Sequence, residues 1–208
     1  LAFDNIISAF PFITQLAQSL QRMTQAILQI SAFIALTFVL IYLSRKPLLN
    51  KEAHGFTRFF AWEAILALLV LNAPVWHAHM FAPVQLLSWL LLFISALLAF
   101  LGLSALKTLG LPSGHRHDNS LYKFEKTQQL VTTHIYSLIR HPMYAALLYL
   151  AWGAYLKDMT LLNTLLVLFA SFALWLTAKR DEAECLVFFG DDYARYMQVS
   201  KRFVPFLF

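Results

Sequence analysis

The stretch "SLIRHPMYAAL", residues 137–147, gathers Arg140, His141 and Pro142 at the head of an apolar run, with Tyr144 close behind. Proline at a first helical position lacks the N–H that a helix start leaves unpaired anyway. His141 then falls near the N-cap. The first free amides of such a helix attract a carboxylate or phosphate, and Arg140 adds a full positive charge. Tyr144 lies three residues beyond His141, so both can face one side of the helix start. Arginine, histidine and tyrosine at a helix mouth also fit simple anchoring among lipid headgroups.

A second polar stretch, "AKRDEAECLVFFGDDYARYMQVSKRFVPF", covers residues 178–206. There Glu182, Leu186 and Phe189 are spaced i, i+4, i+7, which puts a carboxylate on one face with two apolar side chains. Such a carboxylate points toward protein, although Asp181 and Glu182 could equally be solvated charges past a membrane helix. Gly190 suits a helix C-cap, and "DDYARYM" reads as a short helix opened by acidic residues. Anion-binding groups on one strut facing carboxylates on the other would suit a zwitterionic ligand.

The elements that must bring these halves together are membrane helices. The chain is 60% hydrophobic and 13% charged, about half the charged fraction of a soluble domain. Apolar runs recur near the ~20 residues that cross a bilayer core. The expected fold is a single all-α polytopic membrane domain, residues 1–208, with about five spans: 24–43, 59–76, 84–106, 142–156 and 160–178. The last two spans, joined by "LKDMT", must form an antiparallel hairpin, which brings residues 136–144 and 179–189 to one surface. Cytosolic helices are expected after it. Residues 1–22 read as a short interfacial segment, residues 24–106 as the first three spans, and 107–208 as the ligand-binding region.

Charge sets the orientation. Fourteen of the sixteen Lys and Arg residues fall in 44–58, 107–141 and 179–208, and only Arg22 and Lys157 lie on the other side. The positive-inside rule puts those three segments and the C-terminus in the cytoplasm, with the N-terminus outside. The formal charge of +5 follows this topology and is no nucleic-acid footprint. No obligate protein partner is evident.

Other residues invite weaker readings. Cys185 is the single cysteine, which excludes an internal disulfide and a Cys-based metal site. With no histidine placed in sequence to activate it, it reads as packing. "HAH" at 77–79 and "HRH" at 115–117 lack cysteine partners and helical i, i+4 spacing, so no metal is expected. Glu63 lies inside the second span, where an ionisable group is a functional candidate by default. Its place near the cytosolic end favours snorkelling or pairing with Arg58. Asn72 reads as a hydrogen-bonding residue at the outer end.

At "LVTTHIYSLIRHPMY", "DEAECLVFFGDDYARYM" and "RFVPF" the chain resembles the isoprenylcysteine carboxyl methyltransferase family and its phospholipid methyltransferase relatives, over roughly residues 100–208. The resemblance implies an integral membrane enzyme that binds S-adenosyl-L-methionine in a cytosol-facing pocket over its last two spans. It implies cofactor contacts at Gln128, Gln129, Leu130, Val131 and Tyr136, and at Arg140, His141, Pro142, Met143 and Tyr144. It also implies a contact from the first member of an acidic pair. Counting back from "FFG" places that member at Asp181; counting forward from "RHPMY" places it at Glu182. Two positions depart from the family pattern: His134 replaces a common glycine, and Thr177 stands where a substrate-binding arginine is expected. Arg180 is near that place and is the candidate substrate contact.

The expected activity is therefore S-adenosylmethionine-dependent methyl transfer to a lipid-like or amphipathic acceptor arriving from the bilayer. No catalytic base is identifiable. A membrane reductase of the steroid or sterol type using NADPH, and a non-catalytic membrane scaffold, are the rival expectations.

Overall fold

The computed structural model describes residues 11–110 and 127–205. They form helices α1 (Pro11–Ser44), α2 (His54–Asn72), α3 (Pro83–Leu109), α4 (Pro142–Tyr155), α5 (Leu161–Phe189) and α6 (Asp191–Val199). No strand occurs among the described residues. The "HRH" at 115–117, and residues 1–10 of the segment read as interfacial, lie outside them.

Four helices are long and apolar enough to cross a membrane: α1, α2 with the turn after it, α3 and α5. The expected fourth span, α4, has only 14 residues, about 21 Å at 1.5 Å per residue. It packs chiefly on α3 and also on α5, so the hairpin forms as expected, with one short arm. A break was expected near residues 22–24, yet α1 runs unbroken from Pro11. Polar residues such as Gln15, Gln18 and Gln21 are good helix formers and do not interrupt it.

Small side chains let the helices approach closely. Ala145, Ala151, Ala154, Ala170 and Ala178 are fully buried. A Cβ on Gly153 would stand 2.9 Å from Leu92, so α3 meets bare backbone there. Ser88 donates to the Gly153 carbonyl at 2.6 Å and Ser95 to the Ala146 carbonyl at 2.7 Å, the polar, small-residue contact that replaces hydrophobic driving force within lipid. Thr177 and Thr57 join α5 to α2 at 2.9 Å. By contrast, large side chains such as Phe93, Phe100, Phe169 and Phe172 are exposed, as lipid-facing positions should be.

The expected role of Asn72 is realised. It donates to the Ala154 carbonyl and accepts from Asn163, both at 2.8 Å, and so ties α2, α4 and α5 together at the end remote from the polar tail. Glu63 accepts from Thr37 of α1 at 2.8 Å, so its bonding partner is a hydroxyl and not the expected Arg58. Replacing Asn72 by leucine should cost about 1–2 kcal/mol, the upper range for interhelical hydrogen bonds plus an unpaired Asn163 amide. Unfolding in detergent measures it, and an unchanged midpoint would remove the linkage from the fold's stability.

Candidate functional site

The polar ends of α2, α4 and α5 meet the C-terminal tail around one pocket. Its floor is the start of α4. Pro142 takes the first helical position and His141 is the N-cap, as the residue order suggested. Ahead of them His134–Ser137 makes a tight 3₁₀ turn. The third wall is α5, which continues unbroken past the hairpin to Phe189. Gly190 then reverses the chain with φ of 57°, a backbone that favours glycine, and α6 follows.

Glu182 organises this end. Its carboxylate is 6% exposed and accepts from Arg140 Nε at 3.0 Å, Arg202 Nε at 3.0 Å and Arg202 Nη2 at 2.7 Å. His141 Nε2 lies 3.3 Å from the same carboxylate. Arg140 donates further to the carbonyls of Met197, at 3.0 Å, and Ser200. The tail is pinned by backbone as well: the Arg140 and His141 amides donate to the Lys201 and Arg202 carbonyls at 2.6 and 3.2 Å.

Asp181 has a different task. It lines the pocket, whereas Glu182 does not. Its oxygens are 3.5 Å from His141 Nδ1 and 3.6 Å from the Cys185 thiol, and the Tyr144 hydroxyl donates to it. Burial alone would lower the His141 pKa. The hydrogen bonds and charges of Asp181 and Glu182 outweigh burial and hold the imidazole above its ordinary 6.5. Its ring stacks on Tyr144 with centroids 5.3 Å apart.

Of the residues picked out by sequence, Leu130, Val131, Tyr136, Arg140, His141, Met143, Tyr144 and Asp181 line the pocket together. Gln128 and Gln129 are exposed beside it, with amides bonded to the Gly110 carbonyl. Pro142 is buried against α3, close to Gly102. Arg180 points elsewhere and donates to the Lys51 carbonyl at 2.6 Å. Thr177 is fully buried in the α2–α5 contact.

Sequence reasoning missed His54, Tyr193 and Tyr196, which also line the pocket. Tyr196 donates to the Tyr136 carbonyl at 2.5 Å, and burial pushes both phenols well above the usual tyrosine range. Their spacing within "DDYARYM" places both on one face of a short helix and was the available signal. His54 had none, because its partner Glu184 is 130 residues away.

His54, Asp181 and Glu184 also converge closely enough to hold a metal ion. The backbone N–H and ring Nδ1 of His54 both donate to Glu184 at 2.7 Å. That pair is complete as an acid–imidazole contact.

Fold and site define a class: a polytopic helical membrane protein whose hairpin helices carry a charge-lined pocket at one end. A family model described as phospholipid methyltransferase matches residues 84–188, from the start of α3 to the end of α5. The chain belongs to the phospholipid methyltransferase family. Comparison with curated proteins and with solved structures returned no match.

Two outcomes follow from the charge network. Glu182→Gln should destabilise by about 3 kcal/mol, since it leaves partly buried guanidinium groups short of their counter-charge; denaturant unfolding in detergent reads it. Because the folded His141 pKa exceeds its unfolded value, the stabilisation from its charged ring is full below pH 6.5. It is lost as pH rises through the folded pKa. Wild type should lose Tm relative to His141→Gln over that window, and parallel Tm–pH curves would contradict it.

Proposed function

We propose that this protein transfers the methyl group of S-adenosyl-L-methionine to a lipid-like or amphipathic acceptor that enters from the bilayer. The observation that carries the reading is one juxtaposition. The Asp181 carboxylate faces the N-terminus of α4 across a pocket walled by Tyr136, Tyr144, Tyr193 and Tyr196.

Each part fits one charge of the cofactor. Asp181 offers an acceptor for an ammonium. The Met143 and Tyr144 amides lie in the first turn of α4, where no intrahelical partner exists, and offer donors to a carboxylate. Tyrosine faces favour a sulfonium. Arg140, expected to supply positive charge for the cofactor, is committed to Glu182 and the tail carbonyls. The helix end is therefore the anion site, and Arg140 acts by holding the wall in place. The enclosed space of about 120 Å³ is smaller than the ~300–1,000 Å³ of whole small-molecule sites, so it suits one end of a ligand.

When bound, the cofactor would supply an electrophilic methyl group, and its transfer needs no metal. The protein's part is to orient the acceptor and exclude water. The exposed apolar belt of α1, α3 and α5 supports an acceptor drawn from lipid, and the distribution of Lys and Arg supports a cytosolic pocket.

Calorimetry of detergent-purified protein with S-adenosylhomocysteine tests the reading. Wild type should bind in the micromolar range, and Asp181→Asn should weaken binding about 10-fold or more, the worth of one charge-assisted hydrogen bond. Absence of binding with tight NADPH binding would replace the proposal by the reductase reading; binding of neither would leave a scaffold.

A further inference from the structure

Two histidines line this pocket, and their surroundings drive them to opposite states. The environment of His141 is doubly acidic, with Asp181 at Nδ1 and Glu182 at Nε2. Such a ring holds its proton and cannot take another.

His54 is set differently. It is 1% exposed and begins α2. Glu184 receives its backbone N–H and its ring Nδ1, each at 2.7 Å, which locks the ring plane and keeps the proton on Nδ1. At the other nitrogen, Arg58 Nη1 lies 3.5 Å from Nε2. A guanidinium has donors only, so it favours a lone pair at Nε2, and the contact is long enough for another donor to replace it. The groups around His54 are Arg58 on its own helix, Asp181, Glu184 and Cys185 on α5, His141 before α4, and Tyr193 on α6. Tyr193 stays a phenol, and Asp181 is taken by the ammonium in the reading above. Pairs of titratable groups pushed apart in this way mark acid and base roles.

We propose that His54 accepts the proton of the methyl acceptor, with Glu184 as its positioning residue. The inference rests on the methyltransferase reading. It narrows the acceptor to an amphipathic molecule with an X–H nucleophile: an amine, thiol or hydroxyl. A carboxylate acceptor would need no base. The X lone pair forms the bond to the methyl carbon while the carbon–sulfur bond breaks, its electron pair passing to sulfur and leaving a neutral thioether. The X–H proton passes to Nε2, and the X–H electrons remain on X. The positive charge lost at sulfur reappears on the imidazolium, beside the Glu184 carboxylate.

The first test needs no acceptor. Nitrogen NMR of histidine-labelled protein in detergent, assigned with His54→Gln, should show His54 at about pH 7.5 neutral, protonated at Nδ1 only, and shifted by S-adenosylhomocysteine. A ring protonated at Nε2, or one unmoved by the ligand, overturns the proposal while leaving the cofactor site intact. A folded wild type that does not bind S-adenosylhomocysteine overturns both. In the second arm, phosphatidylethanolamine vesicles are incubated with methyl-tritiated S-adenosylmethionine. His54→Gln should lower labelled-lipid turnover about 100-fold, the low end for general base catalysis, with S-adenosylhomocysteine affinity within about 2-fold. Glu184→Gln should fall between and displace the pH–rate profile. Equal losses of affinity and turnover would make His54 a binding residue and refute its role as base. If wild type leaves these vesicles unlabelled, the NMR result decides.

Discussion

The carboxylate of Glu182 joins three separate parts of the chain: the end of a membrane helix, the N-cap of another and the C-terminal tail. At 6% exposure it could not be tolerated alone, because an unpaired buried charge costs several kcal/mol. Arg140 and Arg202 neutralise it, and each brings its own demand for acceptors. Arg140 meets that demand with the Met197 and Ser200 carbonyls, so the tail must fold back. Ile139 and Lys201 then pair as a parallel bridge. The path of the last residues is in this sense a consequence of satisfying one buried anion.

That same network separates two neighbouring carboxylates. Consecutive residues on a helix point about 100° apart, so Asp181 and Glu182 cannot share a task. Once Glu182 is turned into the arginines, Asp181 is turned to the pocket. Adjacent acidic residues of equal appearance in the sequence thus become a structural anchor and a ligand-facing group. His141 bridges them and takes its charge from both.

Much of this was legible beforehand. The apolar runs located the helices, and Pro142 and Gly190 marked ends that the structure keeps. The "RHPMY" and "DEAEC" stretches were recognised as halves of one site, because a loop as short as "LKDMT" leaves the hairpin no alternative. What was not legible depends on register or distance. Counting along the chain could not choose between Asp181 and Glu182, since a one-residue shift rotates the choice by 100°. The fate of Arg140 depended on carbonyls almost 60 residues away. His54 was invisible because nothing in "KEAHGF" announces that Glu184 will meet it. The unbroken start of α1 was missed for another reason: glutamine is polar enough to look interfacial, yet it costs a helix little.

The family match begins at Val84 and ends at Phe188, yet the pocket is not complete within it. The matched region supplies the α4 start, Asp181 and the α5 wall. His54 comes from before it, and Tyr193, Tyr196 and Arg202 come after it. The flanking parts are held by interactions that also serve the helices: Glu184 caps the first turn of α2 through the His54 amide, and Thr57 bonds Thr177 four residues below Asp181. The position where the resemblance calls for a substrate-binding arginine is therefore spent on helix packing, with a threonine small enough to let α2 close on α5. That closure brings His54 to the pocket wall. Loss of the arginine and arrival of the imidazole are linked by the same helix contact.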